Sequence, residues 1–180
     1  MRTRSERKWF LVVLALDTLL RTNRAFYRGK SSSVAKALND LPGAMLATGF
    51  GEQSAEQTIK AAKIDESKGR VSVACINSPT STTLSGDEPA IDHIHDVCAA
   101  AGVFARKLKV ETAYHSHHME KVAKSYLSSL ADIEPRSMRD GVQFVSSVTG
   151  TAKSSGFGPE YWTQNLVSQV RFFSLSFISI

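Results

Sequence analysis

The chain has 180 residues, enough for one domain with a real core and too few for two comfortable ones. With 42% hydrophobic and 22% charged residues, its composition is that of a globular protein and excludes a disordered or fibrous one. The net charge of +5 permits an anionic partner, but the basic residues are scattered. Arg2, Arg4, Arg7 and Lys8 form the only dense run, so the pattern is that of a solvated surface and not of a nucleic-acid face.

The start MRTRSERK followed by WFLVVLAL has the outline of a signal peptide. Asp17 interrupts the apolar run and no small-x-small site follows, which favours a soluble helix. A membrane span needs about 18 uninterrupted apolar residues, and none are found. Helical spacing runs over 9–28, loosens at Gly29 and the serines of GKSSSVAKAL, and resumes as a second short helix or turn up to Asn39. Pro42-Gly43 is a break.

A regular alternation follows. AMLATGF (44–50) reads as a strand and EQSAEQTIKAAK (52–63) as a helix with Ala55, Ile59 and Ala62 on one face. VSVACIN (71–77) and STTLSG (81–86) read as a strand pair about Ser78-Pro79. DEPAIDHIHDVCAAAG (87–102) opens with three residues favoured in a first helical turn and ends on glycine, and VFARKLKV (103–110) reads as a strand. The order over 44–110 is strand, helix, strand, strand, helix, strand, that of a split βαβ, ferredoxin-like unit. Cys75 and Cys98 lie in apolar runs and read as small core residues, which points to a reducing, cytoplasmic setting.

Beyond it, Ser116 can cap a helix with Met119, Val122, Ala123, Tyr126, Leu127 and Leu130 on its apolar side. VQFVSSVTG (142–150) reads as strand then turn, and SSGFGPEYW as a loop leading into a short helix. Three histidines cluster in YHSHHM. His115, His117 and His118 are too closely spaced for all three to reach one ion easily, and no further pair at ligand spacing completes a site, so no metal is expected. His117 and His118 fall in the first helical turn, where histidines are usually solvated or serve as caps. His115 instead ends an extended segment after Tyr114, a strand-to-helix junction that can aim an imidazole into a cleft as a general base.

AFYRGK (25–30), LPGAMLATGF (41–50), VACINSPTSTTLSGD (73–87), VFARKLKVETAYHSHHM (103–119) and YWTQNLVSQVRF (161–172) together resemble, in order and spacing, the acyltransferase domain of polyketide synthases. The likeness is to the highly reducing synthases of fungi and, beyond them, to malonyl-CoA:acyl-carrier-protein transacylases. It implies an α/β hydrolase-like subdomain with an inserted ferredoxin-like one. Its expected layout is 1–42 as a helical part of the larger subdomain, 43–110 as the insert, 111–172 as the return, and 173–180 as a divergent tail. It implies transfer of malonyl from coenzyme A, through a serine, to the phosphopantetheine thiol of an acyl carrier protein, beside other synthase domains and with no bound cofactor.

By motif position the resemblance makes His115 the base, and Arg28 the group that grips the malonyl carboxylate, a task suited to a planar guanidinium. It places Asn165 where a backbone carbonyl orients the histidine, and it makes Tyr114 the residue that disfavours an α-methyl group and so favours malonyl. The family's G-x-S-x-G elbow should precede Arg28 by some two dozen residues, within MRTRSER, where Ser5 has no flanking glycine. No nucleophile is therefore expected in this chain, and no acyl transfer by it alone. Truncation at both ends is the matching expectation. The alternative is a non-catalytic binding module on a ferredoxin-like core. An RNA-recognition motif stacks bases on strand aromatics, and here only Phe104 qualifies, so no nucleic acid is expected.

Overall fold

The computed structural model describes residues 18–134 and 144–175. Helix α1 (Thr18–Leu38) leads into strand β1 (Gly43–Thr48), helix α2 (Glu52–Ala61), a 3-10 turn (Glu66–Lys68), strands β2 (Val71–Ser78) and β3 (Ser81–Asp87), helix α3 (Glu88–Ala100) and strand β4 (Ala105–Lys107). Helix α4 (His117–Ser129), helix α5 (Pro159–Val167), the two-residue strand β5 (Val170–Arg171) and the short helix α6 (Phe172–Leu175) complete it. The alternation expected over 44–110 is the order observed, although the strand expected over 103–110 pairs only at Ala105–Lys107.

The five strands form one sheet in the order β4-β1-β3-β2-β5. The first four are antiparallel neighbours, and β5 adds in parallel to β2 with Cys75 opposite Val170. Leu46 and Leu84 face one another across β1 and β3 and pack with Ala55, Ile91, Ile94 and Cys98 from the two covering helices. Cys98 is thus the core residue expected of it, whereas Cys75 is only half-buried; both thiols are free.

A second core joins α1, α4 and α5 through Ala35, Met119, Val122, Tyr126, Leu130 and Leu166, all fully buried. Four of these are the α4 positions expected from the helical spacing. Helix α1 does not break at Gly29 as the sequence suggests. Ser32 and Ser33 donate to the carbonyls of Arg28 and Gly29, four residues back, so these hydroxyls join the helix instead of competing with it. This continuity keeps Arg28 and Ala35 on one rigid element.

The expected strand around VQFVSSVTG is reduced, within the described residues, to one bridge between Val145 and Ala152 about a tight turn. The apolar run WFLVVLAL, Ser5 and the last five residues lie outside the described residues. Among the described residues no helix is long and apolar enough to cross a membrane.

Candidate active site

His115 stands at the joint between the two cores, one residue before the cap of α4. Its backbone is left-handed, with φ 58°. Histidine adopts this region more readily than most residues, but it still costs about 1–3 kcal/mol and persists only where the surroundings hold it. Here they do. The Ser116 hydroxyl donates to Ala113 O at 2.7 Å and accepts from the His118 amide at 3.2 Å, so it caps α4 as its position suggests.

The imidazole is held at both nitrogens. Nδ1–H donates to the carbonyl of Ser168 at 2.9 Å, which leaves Nε2 as the acceptor. Nε2 lies 3.5 Å from Arg28 Nη2. Burial first, and then the neighbouring guanidinium, push the imidazole down to about 4 from its ordinary 6.5, against the opposing Ser168 hydrogen bond. His115 is therefore neutral near pH 7, with its basic lone pair facing a cation.

Arg28 projects from α1 toward the same place. Its Nη1 donates to Asn165 Oδ1 at 2.9 Å, and it meets the hydroxyl of Tyr126 on α4. Burial lowers its pKa from the ordinary value, while the neighbouring tyrosines Tyr126 and Tyr114 work against that. Asn165, on α5, passes the chain of contacts onward by donating to Ser147 Oγ at 3.0 Å. The turn bearing Ser147 is propped by Tyr161, whose hydroxyl donates to the buried Ser146 Oγ at 3.0 Å. Tyr114 is half-buried against the helical core beside His115.

The structure thus gathers His115, Arg28, Tyr114 and Asn165, from three separate stretches of sequence. It corrects one detail. The carbonyl that meets the histidine belongs to Ser168, not Asn165, because the turn out of α5 into β5 brings Ser168 over the ring while Asn165 spends its side chain on Arg28 and Ser147. Ser168, Tyr126 and Ser147 were not visible as site residues, since a backbone carbonyl and two hydroxyls carry no local signal.

His117 and His118 also differ from expectation, being neither solvated nor caps. His118 is 2% exposed and donates from Nε2 to Asp87 Oδ1 at 2.7 Å, while His117 Nε2 donates to Oδ2 at 3.0 Å. Asp87 ends β3 and stands at the cap position of α3, yet its side chain makes no cap bond there. It also accepts from the Arg70 amide at 2.6 Å. Burial alone would raise its pKa, but the Arg70 amide, the His118 bond and the two imidazoles outweigh it and hold the carboxyl below its usual range. Asp87, His117 and His118 are the one grouping of metal-ligating atoms found among the described residues. Both imidazoles already spend Nε2 on the carboxylate, and their spacing is that of hydrogen bonds. Beside this trio a cavity of about 390 Å³ opens between the sheet and α4, lined by Arg70, Ser72, His115, His117, Glu120 and Gln169.

A half-buried neutral histidine oriented by a carbonyl, with an arginine poised at its free nitrogen, is a frame for acid–base chemistry on an anionic group. The chain belongs to the acyl transferase domain family, which matches residues 25–176. It is 53% identical over 148 residues to the highly reducing polyketide synthase ltbA of Aspergillus luteorubrus, an alignment covering 82% of this chain and 4% of that synthase. Its structure is similar to the acyltransferase domain of the iterative polyketide synthase in enediyne biosynthesis, with a TM-score of 0.76 and 25% identity over 92% of this chain and 42% of the other. It is likewise similar to the acyltransferase domain from module 8 of the salinomycin synthase, with a TM-score of 0.70, 31% identity and coverage of 83% and 34%. The mixed α/β fold is therefore that of polyketide synthase acyltransferase domains, of which the chain spans less than half in these two structures.

Proposed function

We propose that this chain carries the histidine and arginine part of an acyltransferase site that moves a malonyl unit from coenzyme A to the phosphopantetheine thiol of an acyl carrier protein, within a polyketide synthase. The observation that carries the reading is the pairing of His115 Nε2 with Arg28, while Ser168 orients Nδ1. Arg28 holds the malonyl carboxylate by paired hydrogen bonds, exchanging its contact with Nε2 for the anion. Asn165 and Tyr126 keep the guanidinium aimed.

His115 Nε2 accepts the proton of a serine hydroxyl as its oxygen attacks the thioester carbonyl, and the resulting imidazolium then returns that proton to the departing coenzyme A sulfur. In the second half the same nitrogen takes the proton of the carrier thiol, the thiol attacks the acyl-serine, and the serine oxygen is reprotonated. No cofactor takes part. The serine must come from outside these 180 residues, which contain no G-x-S-x-G stretch, so the chain by itself forms no acyl adduct. Tyr114, beside the base, disfavours an α-methyl group and makes malonyl the preferred unit.

On this reading the antiparallel part of the sheet and its two helices, over 43–110, form a ferredoxin-like insert. Residues 1–42 and 111–172 then belong to an α/β hydrolase-like larger part, and 173–180 to a divergent tail. The test is a graft: residues 25–176 replace their counterpart in the acyltransferase domain of ltbA, and malonyl transfer to a carrier protein is measured. The graft is expected to transfer, and His115→Ala in it to lose on the order of 10²–10⁴-fold in rate, as removal of a general base does. A folded graft in which His115→Ala transfers as well as its parent overturns the reading.

A further inference from the structure

We propose that Asp87 is a positioning residue for His115, holding the catalytic turn from the end of strand β3 through its two hydrogen bonds to His117 and His118; this rests on reading His115 as the base. Three observations support it. First, Asp87 occupies a helix cap position with a residue type suited to capping, yet its carboxylate turns away from that role and toward α4. Second, the partner His118 is the residue whose amide the Ser116 cap receives, so a fixed His118 ring fixes the cap and the residue before it. Third, His115 is left-handed, a conformation that its surroundings must impose.

The seat is built for this contact. Gly43 pairs with Asp87 across β1 and β3, and a Cβ at Gly43 would come within 2.5 Å of Ala113 N and 3.1 Å of His118 Nδ1. The missing side chain lets the 113–118 turn lie directly on the strand ends. Two hydrogen bonds on one carboxylate then set both the height and the rotation of the first turn of α4. The charged neighbours are few: Arg70, just before β2, and Glu120 from α4 border His117, and Arg28 from α1 borders His115.

The test is nitrogen-15 NMR of the histidine rings in the full chain, which needs no turnover. In the parent, His115 is expected as a single tautomer protonated at Nδ1. In Asp87→Asn, which leaves one imidazole without an acceptor, His115 is expected to show mixed tautomers and to titrate at least about one pH unit higher, as it leaves its half-buried seat. Ile91→Val, in the sheet core away from the turn, is expected to leave the His115 signals unchanged. His117→Gln supplies a second reading should Asp87→Asn not fold, with a smaller shift in the same direction. Unaltered His115 signals in a folded Asp87→Asn chain, or in His117→Gln where that variant decides, overturn the proposal, as does an equal shift in Ile91→Val. The His115→Ala graft tests the base assignment separately, so failure of one is distinguishable from failure of the other.

Discussion

Arg28 Nη2 lies 3.5 Å from His115 Nε2, so the group proposed to bind the substrate's carboxylate sits against the group proposed to act as the base. The two are coupled through charge. With no anion present, burial first and then the guanidinium keep the imidazole near pKa 4, a weak base. A carboxylate on Arg28 offsets that positive charge and strengthens the base only when substrate is bound. Malonate is therefore expected to raise the His115 pKa by at least about one unit in an NMR titration of the chain, the size of effect that one close charge exerts. Arg28→Ala is expected to raise it without malonate and to abolish the response. A His115 titration indifferent to malonate would show that the two groups are not linked in this way.

The same depressed pKa makes stability depend on pH, with a definite sign. His115 is neutral when folded down to about pH 4, whereas in the unfolded chain it takes a proton near its ordinary 6.5. Between these values the unfolded state binds more protons, so stability rises with pH. The contribution is fully present above pH 6.5 and is lost as pH falls toward 4, by at most about 3 kcal/mol at 1.36 kcal/mol per pKa unit. Asp87, held below its ordinary 3.8, adds a further loss at still lower pH. Urea unfolding at pH 7, 5.5 and 4.5 is expected to show this decline, and His115→Gln to flatten it over that window. Parallel declines in both chains would remove His115 as the cause.

Much of this was legible from the sequence, and what was not has a physical pattern. The βαββαβ order, the α4 cap at Ser116 and the buried face Met119, Val122, Tyr126 and Leu130 follow from short-range periodicity, which a linear reading captures. His115 stood out at its strand-to-helix junction, whereas Arg28, Tyr114 and Asn165 were reached through the resemblance, not through spacing. Several of the misses are long-range. Nothing local to Asp87 says that it would forgo capping α3 for two histidines some thirty residues away. Nothing local to the serines after Gly29 says that packing against α4 would keep α1 unbroken. Ser168 enters the site through its carbonyl, which every residue possesses.

Gly43 gives a sharp test of how closely the turn is seated. Its absent Cβ would stand 2.5 Å from the backbone nitrogen of Ala113, a distance no flexible side chain can relieve. Gly43→Ala is therefore expected to destabilise the chain by about 1–3 kcal/mol, the usual cost of overpacking, by forcing strand β1 and the 113–118 turn apart. Gly29→Ala is the control. Its Cβ would meet nothing within 4 Å, and it lies within helix α1, where alanine is favoured by roughly 1 kcal/mol. Chemical denaturation of the two variants is expected to move the midpoint in opposite directions, and a neutral Gly43→Ala would mean that the strand end yields more easily than its geometry implies.

Tyr114 is the remaining residue whose role can be separated from the chemistry. It precedes His115 and packs its ring on the helical core beside it, and on the proposed reading it limits space near the acyl group. In the grafted domain described above, Tyr114→Ser is expected to improve methylmalonyl relative to malonyl transfer by 10–200-fold in kcat/KM. That range corresponds to the ~1–3 kcal/mol that one methyl group is worth in a fitted pocket. The substitution also removes ring contacts from the core, so rates for both substrates are expected to fall. The ratio, measured by competition between the two thioesters, is the quantity that reports on selectivity. A fall in both rates with an unchanged ratio would make Tyr114 a packing residue, and the malonyl preference would then have to come from elsewhere in the cleft.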